Sequence, residues 1–186
     1  MNKNKSVYQF KATLDADFDE NIKEKPYREI AAFSSQSLST LARAIVTAFG
    51  FDFDHCYGFY DNLKDPYKSK EIFELFTDIP EDPTPGALGV THEKITKAFN
   101  RIGKKMLFLF DYGDNWHFIV ELIDIIPIEK VTKYPRILKK VGQAPEQYPP
   151  MEEDEEEHDP LLKMSGIIKG ANKNLSEDVD SIYFRD

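Results

Sequence analysis

The chain reads as an α+β protein: a single domain with a mostly antiparallel sheet, a central hairpin around residues 105–126, and two or more helices packed on it. Three stretches carry that expectation. KMLFLFDY and WHFIVELIDIIP are apolar arms on either side of Gly113-Asp114-Asn115, the turn chemistry that hairpins demand. SVYQFKATL sets Val7, Gln9 and Lys11 against Tyr8, Phe10 and Ala12, the period-two signature of a half-buried strand. Leu38, Leu41, Ile45 and Phe49 recur instead at the spacing of one helix face.

The remaining elements follow in chain order. After the polar break DADFDENIKEK, Pro26 opens PYREIAAF, which reads as a second strand antiparallel to the first. Residues 34–39 offer several serines as N-caps for the helix, and Gly50 is placed to end it in a left-handed conformation. FDFDHCYGFY, residues 51–60, reads as an aromatic-rich strand, DNLKDPYKSK as a loop and EIFELF as another short strand. IPEDPTPGALG holds three prolines and two glycines, which break regular structure. Thr91 is placed to cap a short helix with Ile95, Phe99 and Ile102 on one face, ended by Gly103. Beyond Pro127 the prolines 135, 145, 149 and 150 predict irregular chain.

Composition bounds the class of protein. At 186 residues with 41% apolar and 13% aromatic residues, the chain can bury a real core. No apolar run approaches the roughly 18–20 residues of a membrane span, and MNKNKSVYQF lacks the apolar core of a secretory signal. The one cysteine, Cys56, cannot form an internal disulfide. The expectation is a cytoplasmic protein with no membrane partner. Residues 1–150 carry 20 Lys/Arg against 22 Asp/Glu, whereas residues 151–186 carry 4 against 11. A near-neutral domain over 1–150 is therefore expected to precede an acidic extension over 151–186, whose MEEDEEEHDP run repels itself and stays solvated. The only basic stretch, KVTKYPRILKK, is too short for a persuasive nucleic-acid stripe.

The polar cluster FDYGDNWHF is the one place that looks like a site. No cofactor is predicted, although Asp111, Asp114 and His117, with His55 from the neighbouring aromatic strand, are legitimate ligands for a divalent metal. Their spacing, however, matches no metal motif. The alternative is a turn in which Asp114 and Asn115 take positive-φ positions and Asp111 accepts backbone N–H groups. On that view losing Asp114 costs stability as losing a cap does. Cys56 and His55, adjacent in a strand, would point to opposite faces and could not pair as a nucleophile. His92 and His158 have no partner set, and phosphate loops, GxSxG and CxxC are absent.

The order of these features resembles a known family. PYREI, a helix ending AFGF, DHCYGF, FDYGDNWHFIVEL and YPR with a downstream GQAPE follow one another as in plasmid pRiA4b ORF-3-like proteins. Members of that family typically read Y-D-F-G-D-x-W-x-H at the hairpin. The resemblance spans roughly residues 5–150 and aligns Asp111, Gly113, Asp114 and Trp116 with the hairpin motif. It aligns His55 and Phe59 with the aromatic strand, and Pro135 and Arg136 with the later one. His117 falls one place early, and Ile137 stands where many members have cysteine, so no role of that cysteine transfers. The resemblance implies no assigned activity; its context is plasmids and transposable elements.

Three functions are compatible with these residues. The first is a non-enzymatic binding or interaction domain for a protein or peptide, with an aromatic groove near Tyr57, Phe59, Trp116 and Tyr134 and polar contacts from Asp111, Asp114 and Arg136. The second is a metal-assisted hydrolase using His55, Asp111, Asp114 and His117. The third is a DNA-associated accessory protein of a mobile element, drawing on Lys130 to Lys140.

Overall fold

A computed structural model describes residues 6–15, 25–77, 84–128 and 133–148. Its elements are β1 (Val7–Leu14), β2 (Tyr27–Phe33), α1 (Leu38–Phe49), β3 (Tyr57–Tyr60), β4 (Ile72–Glu74), β5 (Leu88–Gly89), α2 (Ile95–Ala98), β6 (Lys105–Phe110), β7 (Trp116–Ile126) and β8 (Arg136–Val141). The eight strands form one sheet in the order β5-β4-β3-β6-β7-β1-β2-β8. All neighbours are antiparallel except β4 and β5. The expected α+β architecture is present, with the β6–β7 hairpin in the middle of the sheet and both helices on it.

Register explains why the sheet has a single thick core. Phe73 pairs Phe59, Phe59 pairs Phe108, Phe108 pairs Phe118, and Phe118 pairs Leu14, which lays an apolar row across five strands. Partners across a ladder share a face, so one row is buried as a unit. The tilted rings of Phe59 and Phe108 lie 4.7 Å apart, those of Phe108 and Phe118 5.7 Å, and Phe49 of α1 closes on Phe118 at 4.9 Å. Leu38, Leu41, Ala42, Ile45, Val46 and Ala48 supply the rest of the buried face of α1. The other side of the sheet has a smaller core, in which Tyr60, Leu107 and Leu109 lie under Leu63, Ile72 and Ile119.

Helix α1 starts and stops as its residues dictate. The Ser37 hydroxyl accepts from Thr40 N–H at 3.2 Å. At the other end Gly50 adopts φ +89, Gly50 N–H bonds Thr47 C=O and Phe51 N–H bonds Val46 C=O. That pairing is a Schellman cap, and it turns the chain sharply.

Several sequence expectations need correction. Residues 51–56 are not strand; only Tyr57–Tyr60 is. The Schellman cap takes Phe51, and the Gln147 amide takes Asp52, accepting from its N–H at 2.6 Å and donating to its C=O at 3.2 Å. With side-chain partners in place, this backbone does not enter the ladder. Helix α2 is shorter than its apolar spacing suggests: Lys94, not Thr91, holds the cap position, and Ile102 is exposed. Gly103 instead sits at φ +82 in a turn and donates to Leu122 C=O. PTPGALG contains β5, and the stretch after Pro127 contains β8, which the prolines had masked. The acidic segment 151–186, Lys130 and most of the DADFDENIKEK break lie outside the described residues.

Candidate functional site

The hairpin turn spans Asp111 to Asn115, because Phe110 pairs Trp116. Asp111 is buried, and its Oδ1 accepts from Gly113 N–H at 2.9 Å and Asp114 N–H at 3.3 Å. Positive φ falls on Asp111 (+58) and Asn115 (+55), not on Asp114, which is exposed. A five-residue loop closed by Asn115 N–H to Asp111 C=O puts the left-handed positions at its two ends. Asp114 is therefore an ordinary surface residue, and the cap is Asp111.

His55 stands over this turn. Its Nδ1 lies 2.8 Å from Asp54 Oδ1, and its Nε2 lies 3.5 Å from Asp111 Oδ2. The Asp54 hydrogen bond, with the charge of Asp111 behind it, raises the imidazole pKa above its ordinary value. His117 does not join them. It neighbours Phe118 on β7 and so faces the other side of the sheet, where burial lowers its pKa against the opposing pull of Asp15. Among the described residues no group of three or more His, Cys, Asp and Glu side chains is placed to hold a metal.

The four aromatics expected to line a groove do not share one. Tyr57 and Phe59 are core residues, 2% and 0% exposed, and Tyr57 spends its hydroxyl on Ser39 at 2.8 Å. Trp116 packs on Phe51 at 4.8 Å at the edge of the same buried cluster. Tyr134 packs elsewhere, edge-on against Phe33 at 4.6 Å.

The open concavity lies next to Tyr134. Thr40, Arg43, Ala44 and Thr47 recur at i, i+3, i+4 and i+7 and form a second stripe of α1, beside the buried one. Pro135, Arg136 and Ile137, where β8 begins, face that stripe across a cleft of about 370 Å³. The walls are braced at both ends. At one end the Gln36 side chain accepts from Phe33 N–H at 2.8 Å and donates to Tyr134 C=O at 3.0 Å. At the other, buried Arg28 donates Nε to Ala48 C=O at 3.0 Å, and Nη1 to Val141 and Gly142 C=O at 2.9 and 3.2 Å. One guanidinium thus joins the C-terminal end of α1 to the end of β8, and the Phe49 ring lies under it at 4.4 Å.

Two arginines, Arg43 and Arg136, border the cleft. The Arg43 guanidinium rests on Phe53 at 4.5 Å, and no carboxylate of the described residues is within ion-pair distance of it. Arg136 lies 5.6 Å from the Tyr134 ring centre. Two guanidiniums, two threonine hydroxyls and the apolar surfaces of Ala44, Pro135 and Ile137 suit a ligand with one anionic and one apolar part. Sequence reasoning picked out Tyr134 and Arg136 but missed Arg43 and the threonines. Their helical spacing was the available signal.

The profile of the plasmid pRiA4b ORF-3-like protein family matches residues 6–148. The chain belongs to that family. No curated protein sequence matches it. In three dimensions it is similar to the crystal structure of a protein of unknown function from Methanosarcina mazei Go1, at 17% identity and a TM-score of 0.60. That likeness covers 97% of this chain and 93% of the other, and it shows a shared fold. In this pRiA4b ORF-3-like domain the Asp-Tyr-Gly-Asp segment builds the hairpin turn, whereas the Tyr-Pro-Arg segment, through Pro135 and Arg136, borders the cleft. Among the described residues no helix is long and apolar enough to cross a membrane.

Proposed function

We propose that the domain is a non-enzymatic binding module that takes an anionic ligand in the cleft between α1 and β8. The observation that carries this reading is Arg43, an arginine with no carboxylate partner among the described residues, at the rim of a braced concavity. The volume falls in the range of small-ligand sites, about 300–1,000 Å³. Bracing by Arg28 and Gln36 favours a preformed site, which lowers the ordering cost of binding. The aromatic-groove version is set aside because Tyr57 and Phe59 are buried. The hydrolase version has little to support it, since His117 faces away from His55 and Asp111.

The test is NMR titration of isotope-labelled protein with benzoate and with neutral benzamide. Benzoate should shift the amides of residues 40–47 and 135–137, benzamide should not, and Arg43→Ala should remove the response. Equal responses to the two compounds, or shifts confined to other residues, would sink the reading.

A further inference from the structure

The cleft continues into an open sheet edge. β8 is the terminal strand on its side, six residues long, and among the described residues nothing pairs with its outer edge. The opposite edge, β5, is only two residues long. A strand of six residues is long enough to hold a partner strand, whereas one of two is not. Ile137 and Leu138 are 40% and 37% exposed, and no proline interrupts the strand from Arg136 to Val141. An open edge of this length can take a further strand, and its lysines decide which strands it admits.

Charge narrows what can pair with it. Between Lys130 and Ala144 the sequence has five cations and no acid, whereas the rest of residues 1–150 carries 15 cations against 22 acids. Arg136, Lys139 and Lys140 lie on β8 itself, and Arg43 stands across the cleft. Two copies meeting edge to edge would bring these cations together, which repels. An acidic strand meets no such penalty.

We propose that β8 is a strand-addition site for an extended acidic peptide, which extends the sheet by one strand and sets an apolar side chain, flanked by a carboxylate, into the α1–β8 cleft. This rests on the cleft being the binding site, and names its partner. Backbone hydrogen bonds would supply affinity, the cleft and its two arginines selectivity. The lysines then serve two purposes: they prevent self-pairing and select the partner.

The experiment titrates the full chain with a blocked eight-residue peptide alternating valine and glutamate. Amide hydrogen exchange and chemical shifts are the readouts. The amides of residues 136–141 should gain protection, and affinity should fall with salt. Three comparisons should each weaken binding at least tenfold: lysine in place of glutamate in the peptide, methylation of alternate backbone nitrogens of the peptide, and the double variant Lys139→Glu, Lys140→Glu. The first two need no change to the protein, so misfolding of the variant cannot hide the answer. Equal binding of the methylated peptide overturns strand addition. Shifts in residues 40–47 without protection of β8 also overturn it, while leaving the cleft reading standing. A silent titration with benzoate still binding overturns the peptide proposal alone, and silence from both overturns both. Protection of β8 by an oligothymidylate but not by the peptide would mean that the edge serves nucleic acid, and the proposal fails.

Discussion

Asp111 and Asp114 sit three residues apart in one turn and have opposite importance. Asp111→Ala removes a buried acceptor from two backbone N–H groups and places alanine at φ +58, so a loss of about 2 kcal/mol is expected in urea unfolding. Asp114→Ala should stay within about 0.5 kcal/mol, as exposed substitutions do. The sequence supported the capping role of Asp111, because aspartate readily accepts N–H groups two residues on. It could not place the positive-φ positions, because those depend on loop length, and a five-residue loop moves them from the middle to the ends. The two histidines nearby should titrate in opposite directions. The hydrogen bond to Asp54, and then the charge of Asp111, favour protonated His55, so its support for the fold is complete below the ordinary imidazole value and is lost as pH rises through its raised one. Burial disfavours protonated His117, so that residue costs stability as pH falls below the ordinary value. Imidazole proton shifts followed by NMR should put His55 above about 6.5 and His117 below it, and a reversed order would contradict the geometry.

The union of α1 with β8 depends on Arg28 more than on either element. Its buried guanidinium reaches carbonyls from the end of the helix, from its own strand and from the end of β8. A lysine keeps the charge but not the planar fork, so Arg28→Lys leaves buried carbonyls without donors and should cost about 3 kcal/mol. Chemical-shift changes at residues 141–142 and at the C-terminal end of α1 should accompany the loss. A variant as stable as the parent would show that the carbonyls find other donors. Legibility differed between elements for a plain reason. β7 and α1 bury one face each and β6 is buried on both, so apolar periodicity declares the first two and an unbroken apolar run the third. β8 is exposed along most of its length and carries three cations in six residues, so nothing in its pattern says strand. It is held by pairing with β2, which only the folded chain brings within reach.

The sheet as a whole is assembled out of chain order. β1 pairs β2 on one side and β7 on the other, with Val7 opposite both Phe33 and Ile126. The fold class could be read from local patterns, but the cleft could not, because it joins Thr40 to Arg136, and no local signal links residues so far apart. The same topology separates two groups of strands. β5, β4 and β3 lie on one flank and β1, β2 and β8 on the other, and among the described residues the β6–β7 hairpin is the only bridge between them within the sheet. During synthesis, then, the first hundred residues emerge with both flanks begun and no strand between them, joined through the core alone by contacts such as those of Phe99 with Phe10 and Phe59. β1 and β3 must wait for their inner ladder partners until residues 105–126 arrive and slot between them. Refolding of the intact chain should accordingly be slow for its size, in about the millisecond-to-second range of domains dominated by distant pairings, and stopped-flow tryptophan fluorescence would show it. Trp116, the chain's only tryptophan, lies at the start of β7, so the fluorophore reports the closing of that seam directly.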